Sequence, residues 1–170
     1  MTDLTLERVV APDPALLADL QRLCDEAPDY YRAVEGQIAG PDKAANWFDG
    51  HNLPLGYTND DLFIDGIYVE GRLIGVSHVL RGWKGPDQSI VGLLLFAQKF
   101  QGCGYGARAY RMIEEMIAGW PGMRSVRIGV IETNHQAFPF WHKMGFAENG
   151  ERYQRDGFIA DVIILEKRLP

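Results

Sequence analysis

The stretch Gln101-Gly102-Cys103-Gly104-Tyr105-Gly106, read Q-G-C-G-Y-G, decides the fold. An apolar run, Ile90–Ala97, precedes it, and a helical pattern, Ala107–Trp120, follows. A strand therefore runs into a glycine-rich turn, and the turn opens a helix. A helix start leaves backbone N–H groups unpaired and carries the positive end of the helix dipole. Glycines let a ligand come close to the backbone. Together these make a seat for a phosphate or pyrophosphate. The alternative is a tight connector with no ligand. The two commonest nucleotide loops do not fit. No Lys follows the glycines as in G-x-x-x-x-G-K-[ST], and Gly102, Gly104 and Gly106 are spaced G-x-G-x-G rather than G-x-G-x-x-G. The motif also lies past mid-chain, not in a first βαβ unit.

Upstream, Thr5–Val10 alternates weakly and reads as a strand. Asp13-Pro14 starts a helix, with Asp as cap and Pro in the first turn. Leu16, Leu17, Leu20, Leu23 and Cys24 give it one buried stripe, and Ala27-Pro28 ends it. Asp29–Gly36 reads as a short helix or loop, Pro41–Asp49 as another short helix, and Gly50–Asp60 as a loop. Leu62–Val69 and Arg72–Trp83 read as strands joined by a Glu70-Gly71 hairpin turn. Downstream, Trp120-Pro121-Gly122 stops the helix. A strand at Arg124–Ile131, a helix near His135–Met144, and strands near Phe146–Gln154 and Phe158–Leu165 follow, the last two joined at Asp156-Gly157. The order β-α-α-β-β-β-α-β-α-β-β predicts a mixed sheet with helices on both faces.

At 170 residues the chain reads as one domain, large enough to bury about two thirds of its unfolded surface. No apolar run reaches the roughly 20 residues of a membrane span. Met1–Val10 carries acids and no signal-peptide pattern, so a cytoplasmic location and no membrane partner are expected. The net charge of −6 argues against nucleic acid and is compatible with a cationic acceptor or with plain solubility. Cys24 and Cys103 form no disulfide framework, and the four histidines are scattered, so no metal is expected.

Gln101, Gly104 and Gly106 occupy the fixed places of [QR]-x-x-G-x-[GA], and Asn134, Ala137, Phe140, Trp141, Gly145 and Phe146 follow about thirty residues later. These resemble the two cofactor motifs of GNAT-superfamily N-acetyltransferases, the second being N-x-x-A-x-x-F-Y-x-x-x-G-F. The resemblance covers Leu62–Leu165 well and the first sixty residues poorly. It implies a single α/β (α+β) domain over residues 1–170. The central sheet is mostly antiparallel and splayed at the cofactor strand, residues 62–165 form the core, and residues 1–60 form a helical acceptor side. It implies acetyl-CoA as co-substrate, bound by Gln101, Gly102, Cys103, Gly104, Tyr105 and Gly106 at the pyrophosphate. Along the pantetheine arm it implies the backbone of Leu94 and Phe96, then Asn134, Ala137, Phe140 and Trp141. A backbone N–H near Leu94 or Leu95 would polarise the thioester carbonyl. Asn134 also suits a helix N-cap.

The family usually has Tyr where this chain has Trp141, and its hydroxyl is the presumed acid for the leaving thiolate. Trp offers an N–H donor but no transferable proton. His142, Tyr105 and Tyr153 are the alternatives in the sequence. The base expected is His78, a polar residue between Val76 and Leu80 in a strand, with an imidazole's pKa range. Asp65 and Glu70 are alternative carboxylates, and a purely structural His78 is the competing reading. Tyr30 and Tyr31 are expected, with His78, to line the acceptor pocket, while Trp47 and Phe48 read as core. Cys103 in the glycine turn reads as a small turn residue rather than a nucleophile. The function implied is transfer of an acetyl group to a primary amine, small-molecule or peptide, in a ternary complex. A homodimer is compatible with this reading. The alternative is a non-catalytic acyl-CoA-binding or sensor domain, favoured by Trp141.

Overall fold

The computed structural model describes residues 2–170. Seven strands and four α-helices follow in chain order: β1 (Leu4–Arg8), α1 (Pro14–Asp25), α2 (Pro28–Glu35), β2 (Leu62–Val69), β3 (Arg72–Arg81), β4 (Gln88–Phe96), α3 (Tyr105–Ala118), β5 (Ser125–Ile131), α4 (Ala137–Lys143), β6 (Ala147–Tyr153) and β7 (Val162–Arg168). They build one sheet in the order β1-β2-β3-β4-β5-β7-β6. Every neighbouring pair is antiparallel except β4–β5. A parallel pair needs a crossover, and α3 supplies it. The result is a single α+β domain with a mixed open sheet.

Local chemistry explains the boundaries. The Asp13 carboxylate accepts the Leu16 N–H at 2.8 Å, and Pro14 sits where its missing N–H costs nothing. α2 stops at Gly36 in the left-handed conformation. Glu70 and Gly71 both take positive φ (51° and 74°), the backbone of a two-residue hairpin that matches strand twist.

Helices cover both faces. Leu20, Leu23 and Cys24 of α1 and Tyr31 of α2 pack on Ile64, Leu73, Val76 and Leu95. On the other face, Tyr110, Ile113 and Ile117 of α3 and Trp141 of α4 pack on Val91, Val126, Ile128 and Leu165. Burial pushes the Cys24 thiol up to about 11, so it stays a neutral core group.

Two sequence expectations fail. Residues 41–49 form turns and a single 3₁₀ turn (Ala45–Trp47), not a helix, because only Ala44 is fully buried and no apolar stripe develops. The last strand begins at Val162, not Phe158. Residues 154–161 are a loop whose Ile159 N–H donates to the Val34 carbonyl at the end of α2 (3.0 Å). The apolar Phe158-Ile159-Ala160 run serves that docking, not the sheet.

Candidate active site

β4 and β5 pair only from Gln88↔Ser125 to Val91↔Ile128. β4 then continues to Phe96 and β5 to Ile131 without touching. The two central strands therefore splay and leave backbone groups of both unpaired with each other, an expensive condition unless something else pairs with them. The splay begins at a β-bulge. His78 faces Leu93 and Val79 faces Val91, so Gly92 is the extra residue. Nothing among the described residues lies within 4 Å of a Cβ built on Gly92, so the backbone there is open. An isolated glycine in an apolar strand is itself a bulge signal.

The glycine turn lies at the end of this strand. Gly102 and Gly104 have φ of 72° and 85°, and a Cβ on either would meet nothing within 4 Å among the described residues. Gly104 is the N-cap of the fourteen-residue α3 and offers no side-chain cap, so the first N–H groups of the helix face open space. The Gln101 side chain does not reach outward. Its amide donates to the Phe96 carbonyl at 3.0 Å and closes the turn. Cys103 is exposed, with Sγ 3.5 Å from the Gln101 carbonyl. Tyr105 begins α3 against Phe100. A Cβ on Gly106 would sit 3.3 Å from the Phe140 ring and 3.8 Å from Phe96, so this glycine lets α4 close on the start of α3. Leu94 is half-buried and Phe96 buried on the α3 side, where their side chains serve the core.

Asn134 lies between β5 and α4. Its backbone carbonyl accepts the Ala137 N–H (3.1 Å), but α4 has Gln136 as N-cap and no side-chain cap, so the capping role for Asn134 is not observed. Trp141 is enclosed. Its ring meets Tyr110 and Phe146 edge-on at 5.3 Å and Phe140 at 4.8 Å. Among the substitutes for the absent phenol, His142 is exposed and paired with Glu148 at 3.0 Å, and Tyr153 is exposed on the outer strand β6. Tyr110, which sequence reasoning passed over, touches Trp141, but its hydroxyl donates to Glu114 at 3.2 Å and burial drives its pKa further up.

His78 lies on the α1/α2 face. Ile64 and Leu93 are its partners on the neighbouring strands, and Trp47 stands edge-on to its ring at 4.7 Å. Its Nε2 is buried with no hydrogen-bond partner among the described residues. Burial pushes its pKa down to about 3, so the imidazole is neutral at physiological pH. Of the alternative carboxylates, Asp65 is buried in an ion pair with Arg8 (2.7 Å), and Arg8 also reaches Met116 of α3, so Asp65 serves the opposite side of the sheet. Glu70 is in the hairpin turn. Tyr31, expected at the acceptor pocket, is 2% exposed inside the α1 core, with Lys43 over its ring. Tyr30 is half-buried between that core and the cluster of Val34, Ile131 and Val162. A wider depression of about 750 Å³ near Arg81, Lys84 and Trp120 contains none of these residues. Among the described residues no cluster of His, Cys, Asp and Glu is arranged to hold a metal, and no helix is long and apolar enough to cross a membrane.

The fold recurs in solved structures. An acetyltransferase from Thermus thermophilus superposes with a TM-score of 0.73 at 20% identity, over 98% of this chain and 97% of that one. The PaiA N-acetyltransferase from Thermoplasma acidophilum, in complex with coenzyme A, gives 0.64 at 16% identity over 96% and 99%. An aminoglycoside acetyltransferase in complex with coenzyme A gives 0.73 at 15% identity over 98% and 95%. No curated protein matches the sequence. The model of the Acetyltransferase (GNAT) family matches residues 20–146, a span that holds α2, the splayed strand, the glycine turn and α4. The splay and the open turn thus lie inside the matched region, and the chain belongs to the GNAT acetyltransferase family.

Proposed function

We propose that this chain is an acetyl-CoA-dependent N-acetyltransferase that moves an acetyl group to a primary amine by direct transfer in a ternary complex. The observation that carries the reading is the splay of β4 from β5 beside an open glycine turn at the start of α3. An extended pantetheine arm has amides that can pair with the freed backbone of Leu94 and with the Phe96 N–H, the Phe96 carbonyl already accepting from the Gln101 side chain. The N–H groups of residues 102–106 and the dipole of α3 suit the pyrophosphate. Asn134, Ala137 and Phe140 are the residues of the β5–α4 connection and α4 assigned to the same arm.

The chemistry falls to few groups. A backbone N–H of β4 next to the bulge, near Leu94, is the candidate to polarise the thioester carbonyl. His78 is next to the bulge and neutral, but burial makes it a weak base in the free protein, so it serves as the proton acceptor, directly or through a water, only once Trp47 moves aside and exposes its ring. As nitrogen attacks the carbonyl carbon, the C–S bond breaks and the coenzyme leaves as thiolate. Trp141 supplies no proton, and a thiolate is a good enough leaving group to depart without a dedicated acid. Cys103 is not needed as a nucleophile, since no base lies beside it.

The test incubates the protein with acetyl-CoA and a panel of primary amines, reading free thiol and product mass. Amine-dependent thiol release with a product about 42 Da heavier, the mass of an acetyl group in place of a hydrogen, supports the reading. Acetyl-CoA binding with no transfer to any amine would favour the second reading, a sensor domain, which the enclosed Trp141 supports.

A further inference from the structure

One row of side chains crosses the sheet on the α1/α2 face. The Val9 N–H donates to the Ile64 carbonyl (2.8 Å), Ile64 faces His78, and His78 faces Leu93 beside the bulge. At one end of the row is a cavity of about 220 Å³, lined by the apolar Val9, Val10, Phe48, Leu62 and Ile64 and by the polar Arg8, Asn59 and Asp60. At the other end is the splay. Trp47 stands between them, lining the cavity and lying edge-on to His78. It comes from residues 41–61, which hold only turns and one 3₁₀ turn.

Two features point to movement here. The buried Nε2 of His78 has no partner, and leaving a polar atom so buried costs free energy that an incoming amine would recover. The cavity beside Trp47 gives the indole a place to shift within an irregular segment. The volume also limits the occupant. An apolar cavity of about 150 Å³ holds a benzene molecule, so 220 Å³ admits a phenyl-sized group. From β2 to β4 is two strand spacings, roughly 10 Å.

We propose that Trp47 gates a trough between this cavity and His78, and that the acceptor is a primary amine on an extended arm ending in a compact apolar group. The inference rests on the acetyltransferase reading and names its substrate class. The amine lies at His78 and the splay, and the apolar end fills the cavity over Ile64.

The experiment labels the protein with 5-fluorotryptophan, assigns the Trp47 signal by Trp47→Phe, and titrates 4-phenylbutylamine or butylamine in the presence of coenzyme A. Expected is a shift of the Trp47 signal with 4-phenylbutylamine only, lost in Val10→Trp, which narrows the cavity from its exposed rim. The kcat/KM for 4-phenylbutylamine should exceed that for butylamine by about tenfold or more, as a filled apolar pocket allows, and the ratio should collapse in Val10→Trp. A Trp47 signal that stays still, or moves equally with both amines, overturns the gate. A ratio near one, or one that survives Val10→Trp, overturns the cavity assignment. If the signal moves with 4-phenylbutylamine but neither it nor any amine of the panel is acetylated, the trough stands and the acetyltransferase reading falls.

Discussion

Gly104→Val isolates the contribution of the glycine turn. Gly104 holds φ at 85° and its missing Cβ faces open space. In the free protein, valine meets no neighbour, and the cost is the left-handed backbone alone, about 1–2 kcal/mol. At about 2–4 °C per kcal/mol for a domain of this size, the melting temperature should fall by roughly 2–8 °C. With ligand the effect differs in kind, because the isopropyl group occupies the space through which a pyrophosphate reaches the α3 N–H groups. Acetyl-CoA at a hundred times its dissociation constant should stabilise the parent by about 2.7 kcal/mol, or roughly 5–11 °C. In Gly104→Val that shift should vanish. Gly157→Val is the control: φ is 88°, the space is equally open, and the position is in the β6–β7 loop. It should show the same loss of basal stability and keep the ligand shift. Differential scanning fluorimetry with an acetyl-CoA titration reads both. A full ligand shift in Gly104→Val would refute the placement of the pyrophosphate. Loss of the shift in Gly157→Val would show that strain alone abolishes binding.

Cys103→Ser should keep most activity, and no acetyl-cysteine should be trapped by mass spectrometry. A loss of several orders of magnitude would overturn direct transfer. His78→Ala should lower turnover by roughly 10²–10⁴-fold with acetyl-CoA binding nearly intact. Because burial places the His78 pKa at about 3, kcat/KM should show no limb from this residue near pH 6.5, and such a limb, lost on mutation, would refute that burial. The same depression makes stability fall with acid. An unfolded imidazole binds a proton below about 6.5, the folded one only below about 3, so His78 stability is present above 6.5 and is lost as pH drops through that window. His78→Gln should therefore flatten urea-melt stability between pH 6.5 and 4. Arg8→Met should cost about 2–3 kcal/mol and Asp65→Asn less, because the Asp65 side chain is 5% exposed and Arg8 36%, so only the first change strands a charge away from water. Equal costs in urea melts would refute that asymmetry.

The glycine turn and the elements on each side of it were legible because their signals are local. Glycine spacing, the strand before it and the helix after it all fall within about thirty residues, and positive φ at Gly102 and Gly104 follows from residue type. The acceptor half was not legible, because its features depend on contacts distant in sequence. Trp47 reads as an ordinary core aromatic until Ile64 and His78 are placed in one row beside it. Tyr30 and Tyr31 look alike in sequence, yet the helical rotation between neighbours sends Tyr31 into the α1 core and leaves Tyr30 at its edge. The strand expected at Phe158 misled for the same reason. An apolar run does not say whether a sheet or the end of a helix will bury it.

The Gly92 bulge links the two halves. Without an extra residue, strict alternation would put Leu93 on the same face as Val91, toward α3. The bulge reverses that phase. Leu93 joins the α1 side beside His78, and Leu94 and Phe96 point to the α3 side. The bulge also falls where pairing with β5 ends, as expected of an irregularity that increases local twist. On the proposed reading, one residue both ends the pairing of β4 with β5 and turns Leu93 toward His78 at the point where a pantetheine arm would carry its acetyl group. A Cβ at Gly92 would meet nothing within 4 Å among the described residues, so close packing against that position does not explain glycine there. On the proposed reading, glycine keeps the backbone open to a ligand at the start of the splay.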